Sequence, residues 1–262
     1  MKKIEAVIFD WAGTTVDYGC FAPVQAFVEA FRAFGVVPTI EEVREPMGML
    51  KWDHIHTMME MPRIRETWER VHGSEWTKED VDAVYQKSEE AILDILHDFA
   101  NPKPYVVETV NKLRASGIQI GSTTGYTDEM MKIVVPQAAA NGYIPDAWFS
   151  PNAVGNIGRP YPFMIFRNLE KLNVSSVQAA VKVGDTVADI KEGKNAGLIS
   201  VGIIEGSSVM ALSEEEYTSL SPEKKKDECD RVRKIYEACG ADYVIQHMGE
   251  LCGLLEAIEQ GE

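Results

Sequence analysis

The chain has 262 residues, 45% hydrophobic and 26% charged, enough to bury a core without disulfides or a structural metal. Its formal charge of −15 repels nucleic-acid phosphates and anionic membranes, so neither is expected as a partner. Cys20, Cys229, Cys239 and Cys252 show neither metal-ligand spacing nor a disulfide framework, and the apolar run before Asp10 is too short for a signal peptide or a membrane span, which points to a cytoplasmic location.

Residues 4–9 form a short apolar run ending at Asp10, with Gly13 just beyond, the pattern of a buried strand followed by a turn. From about residue 19 to residue 98 only helical patterns follow. Val24, Phe27, Val28, Phe31 and Phe34 recur at helical spacing between Pro23 and Gly35. Thr39 with Glu42 has the form of a capping box, and Pro46 closes that short helix. Helices are predicted over 51–59 and 62–72, and Thr77 with Asp80 opens a long one to about Phe99. The stiff Asn101–Pro102–Lys103–Pro104 stretch marks a return. Beyond it, apolar runs at 118–122, 180–183 and 199–204 read as strands, with 243–245 as an edge strand. Ser213 followed by Glu214, Glu215 and Glu216 suits a helix N-terminus. The alternation predicts an α/β fold: a Rossmann-like, doubly wound parallel sheet with an inserted all-helical cap domain. The core is expected over 1–18 and 100–262 and the cap over 19–99, with hinges near 18–21 and 101–105.

Three of these strands end in chemistry-bearing residues, and ligands of open α/β sheets bind outside the carboxyl ends of the strands. Asp10 ends the first, and Gly13 lets the backbone turn so that its N–H groups can face an anion; an Asp there can equally cap the turn. The second ends in Ser122, Thr123, Thr124, Gly125 and Tyr126, a donor set for a phosphoryl oxygen or an ordinary helix cap at Thr127. A later strand ends in Gly184, Asp185 and Thr186, with Asp189 one turn on, two carboxylates able to hold a hard cation. Between them Gly158, Arg159 and Pro160 supply a positive charge.

In this order the four elements resemble the four motifs of the haloacid dehalogenase superfamily. The resemblance implies Asp10 as nucleophile, Thr124 and Gly125 as phosphoryl-binding, Arg159 as the basic residue, Asp10, the Ala12 carbonyl and Asp185 as ligands of Mg²⁺, and Asp189 as support for the metal or its waters. Ala12 departs from the phosphatases of that superfamily, which carry a second Asp there to protonate a departing alkoxide. The segment Met47, Gly48, Met49, Leu50, Lys51 and His54 resembles the cap motif of the phosphonoacetaldehyde hydrolase family, in which the lysine forms a Schiff base with the substrate aldehyde. That implies a small phosphonate substrate cleaved at carbon–phosphorus, with the imine serving as electron sink where no general acid stands. An ordinary lysine, with a pKa of about 10.4, is well under 1% free amine at pH 7, so Lys51 needs desolvation or a nearby cation. His54 lies at i+3 from Lys51 and is a candidate proton shuttle. Cys20, Met47 and Tyr126 match site neighbours of the same family, which also implies a homodimer through the caps. The Phe27, Phe31 and Phe34 face could serve that interface or be internal core. A phosphatase or phosphomutase of the same superfamily is the rival expectation.

Overall fold

The computed structural model describes residues 3–47 and 49–261; Gly48 of the lysine-bearing motif lies outside the described residues. The chain enters on β1 (Ala6–Phe9), then leaves the sheet for α1 (Phe21–Ala33), α2 (Ile40–Arg44), α3 (Lys51–Glu60), α4 (Pro62–His72) and α5 (Lys78–Ile95). It returns through α6 (Val106–Ala115), β2 (Gln119–Thr123), α7 (Asp128–Ala140), β3 (Ala147–Phe149), α8 (Phe163–Lys171), β4 (Ala180–Gly184) and α9 (Val187–Ala196). β5 (Ile199–Ile203), α10 (Glu214–Ser219), α11 (Pro222–Ala238), β6 (Tyr243–Ile245) and α12 (Leu251–Gln260) complete it.

The described strands form one six-stranded, all-parallel sheet in the order β3-β2-β1-β4-β5-β6. β1 and β4 are buried throughout, as central strands covered on both faces must be. Helices α6, α7 and α12 pack an apolar cluster on one face, and α8 and α9 pack another on the opposite face. From β1 the chain order runs one way to β2 and the other way to β4, so the topological switch point lies at the carboxyl end of β1. Phe9 pairs with Ser122 on one side and Val183 on the other, which sets Asp10 between the ends of β2 and β4.

The helical stretch holds its own apolar cluster, built from Val24, Phe27, Phe31, Ile55, Met58, Trp68, Val81 and Val84 among others. Both expected capping boxes form: Thr39 with Glu42, and Thr77 with Asp80. A third opens α10 at Ser213 and Glu216, the position that the acidic run suggested. The Phe27 and Phe31 stripe is internal, at 3% and 0% exposure, because α1 packs along α5. Phe34 stacks on Trp68 at 5.8 Å. Phe27 and Phe31 are therefore core, while Phe34 is half-buried against Trp68.

Two strand expectations need correction. β3 was not foreseen, because Ala147, Trp148 and Phe149 carry none of the β-branched residues that marked the equally short β6. The run at 180–183 is not purely apolar: it contains Lys182, wholly buried within β4.

Candidate active site

Asp10 follows β1 directly and is 5% exposed. Its N–H donates to the Val183 carbonyl at 3.0 Å, which pins the end of β1 against β4. The loop beyond turns back at Gly13, whose φ of +81° falls in the left-handed region. A Cβ at Gly13 would stand 2.1 Å from Asp185 Oδ2, so the absent side chain is what admits the second carboxylate. Asp185 ends β4 and is held by the Thr14 hydroxyl at 2.9 Å and the Ser208 N–H at 2.8 Å. Asp10, Asp185 and Asp189 each offer a carboxylate oxygen within 4.8 Å of the others.

Basic groups face this cluster from one side. Arg159 pairs with Asp10 Oδ1 at 2.5 Å, with Asp189 Oδ1 at 3.1 Å and with Glu192 Oε2 at 3.1 Å. Lys182 reaches Asp189 Oδ1 at 3.0 Å, Glu192 Oε2 at 3.1 Å and the Thr123 hydroxyl at 2.8 Å. The Thr123 hydroxyl donates to Glu192 at 2.9 Å and accepts from Arg159 at 3.1 Å. Asp189 also closes a capping box with Thr186 through its other oxygen, so protein groups engage both of its oxygens. Burial pushes Asp10 up to about 7, against the pull of Arg159. Burial likewise raises Asp185, with Asp189 adding to it. For Asp189 burial is outweighed by Arg159 and Lys182, and its pKa is lowered. Four carboxylates thus face two cations in a dry site, an imbalance that a divalent cation fits.

Lys182 and Glu192 escaped the sequence reading, and each carried a signal. A lysine inside a strand buried on both faces must have acidic partners. Glu192 lies three residues after Asp189 on α9, on the same helical face.

The helical stretch supplies the other wall. One cleft is lined by Asp10, Ala12, Cys20, Phe27, Met47, Met49, Lys51, His54, Thr124, Gly125, Tyr126, Arg159 and Thr186. Every residue expected at the site therefore borders this cleft except Asp185 and Asp189, which lie beneath it. Lys51 opens α3; its stem is half-buried, while its amine contacts the Met130 sulfur and lies 5.2 Å from the centre of the Tyr126 ring. Burial lowers the Lys51 pKa from 10.5 to about 7, although Glu89 and Cys20 oppose the shift. His54 is 2% exposed and stacks on Phe27 at 4.1 Å. Burial brings it down to about 3 despite a hydrogen bond with the Val43 backbone, so the ring is neutral and its Nε2 has no partner.

The core side of the cleft is built from strand ends. Thr124 is 2% exposed, and its hydroxyl accepts the Tyr126 N–H at 3.0 Å. Gly125 has open space where a Cβ would be, at the cleft edge. Tyr126 is buried with an unpartnered hydroxyl, and burial raises its pKa well above the ordinary value. Cys20 precedes α1 with φ 55°, a free thiol whose pKa burial pushes up.

Comparison with known proteins agrees with this geometry. The haloacid dehalogenase-like hydrolase family matches residues 4–197. A phosphonoacetaldehyde hydrolase of Lysinibacillus sphaericus is 51% identical over 258 residues, covering 98% of this chain and 96% of the relative. One of Bacillus cytotoxicus is 52% identical over 260 residues, covering 99% and 98%. Among solved structures, a phosphonoacetaldehyde hydrolase-like protein from Oleispira antarctica superposes with a TM-score of 0.94 at 33% identity, over 100% of this chain and 96% of that one. No helix among the described residues is long and apolar enough to cross a membrane.

Proposed function

Because this chain belongs to the phosphonoacetaldehyde hydrolase family of haloacid dehalogenase-like hydrolases, we propose that it cleaves phosphonoacetaldehyde to acetaldehyde and phosphate through an imine on Lys51 and a phosphoryl-enzyme on Asp10. The observation that carries this reading is the shared cleft: an amine with a pKa brought to about 7 and a carboxylate at the sheet's switch point line the same space. Residues 19–99 act as a cap over the core formed by 1–18 and 100–262, and closure excludes water from that space.

The neutral Lys51 amine attacks the aldehyde carbon, and loss of water with uptake of one proton leaves a protonated imine. One Asp10 oxygen is held by Arg159; the other attacks phosphorus. The carbon–phosphorus electron pair moves into the imine, so the departing fragment is an enamine rather than a carbanion. Ala12 fits this route, since no alkoxide needs a proton. Protonation of the enamine at carbon and hydrolysis of the resulting imine release acetaldehyde and free Lys51. A second water releases phosphate from Asp10. His54 borders the cleft with Nε2 unpartnered and is the candidate proton relay for imine formation, a role in which bound substrate has to offset the burial that holds its pKa at about 3. Thr124 and the Gly125 N–H hold the phosphonyl oxygens, Arg159 offsets their charge, and Cys20, Met47 and Tyr126 shape the cleft around the substrate.

The carboxylates fit Mg²⁺, with Asp10, the Ala12 carbonyl and Asp185 as ligands and Asp189 supporting them, since protein donors engage both Asp189 oxygens. When bound, the ion supplies charge neutralisation that lets an anionic nucleophile approach an anionic phosphonate. The reading includes a cytoplasmic enzyme of phosphonate degradation and a homodimer through the caps. The dimer surface must be other than the buried Phe27 and Phe31 stripe.

Borohydride treatment in the presence of phosphonoacetaldehyde, followed by peptide mass spectrometry, should place a reduced adduct on Lys51. Asp10→Ala should keep that adduct while phosphate release stops. An adduct elsewhere, or continued phosphate release, would overturn the reading.

A further inference from the structure

We infer that Arg44 is a positioning residue: its guanidinium latches the Lys51-bearing segment of the helical cap onto the loop that holds Asp185. The inference rests on the proposed roles of Lys51 and Asp185, and its geometry stands independently of them.

Arg44 is the last residue of α2, immediately before the turn that leads through Met47 to Lys51. Its neighbour Val43 supplies the backbone hydrogen bond to His54. The side chain leaves the cap. Nη1 donates to the Gly19 carbonyl at 3.0 Å and to the Ser208 carbonyl at 3.2 Å, and the guanidinium lies 4.8 Å from the centre of the Phe21 ring. Gly19 belongs to the hinge into α1, and Ser208 follows β5 in the core.

Ser208 joins this contact to the site, because its N–H donates to Asp185 Oδ2 at 2.8 Å while its carbonyl receives Arg44. The receiving loop is braced from behind. Lys103, in the return hinge, donates to the carbonyls of Gly13, Glu205 and Gly206, and the Gly19 N–H donates to the Gly206 carbonyl at 2.8 Å. Asp17 accepts the Phe21 and Ala22 N–H groups at 2.8 and 3.0 Å and so anchors the start of α1. Both hinges and the Asp185 loop thus form one rigid seat, and Arg44 is the cap side chain that engages it. Its Nε and Nη2 are sealed from solvent without partners. A guanidinium is costly to bury half-satisfied merely to stabilise a fold, and fastening one body onto another is the role that one carbonyl at the hinge and one on the core describe.

The test uses the full chain with Arg44→Met, which keeps much of the stem and removes the donors, and Arg44→Lys, which restores a donor. In substrate-free protein, amide exchange over residues 18–22 and 206–210 should rise at least tenfold in Arg44→Met, fall back in Arg44→Lys, and stay unchanged in β1 and β4. With phosphonoacetaldehyde, kcat should drop at least tenfold in Arg44→Met while borohydride still traps substrate on Lys51 at alkaline pH, where an exposed amine is free, since an open cap exposes the amine but separates it from Asp10. Unchanged exchange at both segments would overturn the latch whatever chemistry Lys51 performs. Exchange rising equally in the strands would reduce Arg44 to a fold-stabilising residue and overturn it too. Failure of wild-type protein to form the Lys51 adduct would instead count against the proposed function and leave the exchange result as the test of the latch.

Discussion

The lowered basicity of Lys51 has a measurable consequence. At pH 7 an amine with a pKa of about 7 is about half free, whereas one left at 10.5 is roughly 0.03% free, a difference of roughly 10³-fold in nucleophile. The perturbation is pH, from about 5.5 to about 9.5, with Lys51→Arg as the control that keeps charge but cannot form an imine. The assay is the initial rate of hydride-trapped adduct with phosphonoacetaldehyde. The rate should rise with pH, reach half its maximum near 7 and level off within about one pH unit above, and Lys51→Arg should give none. Stability supplies a second readout with a definite sign. The folded pKa lies below the unfolded one, so the cost of the buried charge is fully present below about pH 7 and is relieved as pH rises toward 10.5. Lys51→Met should therefore stabilise the fold more at low pH than at high pH. A trapping rate that keeps climbing tenfold per pH unit past about pH 9 would show an ordinary lysine and refute the desolvation argument.

Two further outcomes follow from the core. Gly13→Ala places a Cβ 2.1 Å from Asp185 Oδ2 at a φ of +81°, and it should weaken Mn²⁺ binding, followed by electron paramagnetic resonance, at least tenfold; unchanged affinity would exclude Asp185 as a ligand held by this turn. Lys182→Met removes one wholly buried partner of Asp189 and Glu192 and should cost about 3–5 kcal/mol in urea unfolding. A loss below about 1 kcal/mol would mean that Arg159 alone neutralises that cluster.

Much of the molecule is written in short stretches of sequence, because the forces involved are local. Capping boxes need only four consecutive residues: those at Thr39 and Thr77 form where the spacing placed them, and a third forms at the helix start that Ser213 and the acidic run marked. The runs that became β1, β2, β4, β5 and β6 were legible because buried parallel strands demand apolar runs. Residues at their carboxyl ends were legible as a site because parallel topology delivers those ends to one edge. β3 was silent because Ala147, Trp148 and Phe149 lack the β-branched residues, Val244 and Ile245, that marked the equally short β6.

Tertiary structure alone decided which charges meet. Lys182 passed unmarked inside a run read as apolar, and packing set it against Asp189 and Glu192, contacts that no periodicity encodes. Packing also turned the Phe27 and Phe31 stripe inward against α5, when the same helical spacing could have served a subunit interface. The bond from Arg44 to the Ser208 carbonyl spans 164 residues, and burial against Met130 and Tyr126, far along the chain, lowers the basicity of the Lys51 amine. Helix caps and strand runs depend on neighbours in the chain, whereas desolvation and ion pairing depend on neighbours in space.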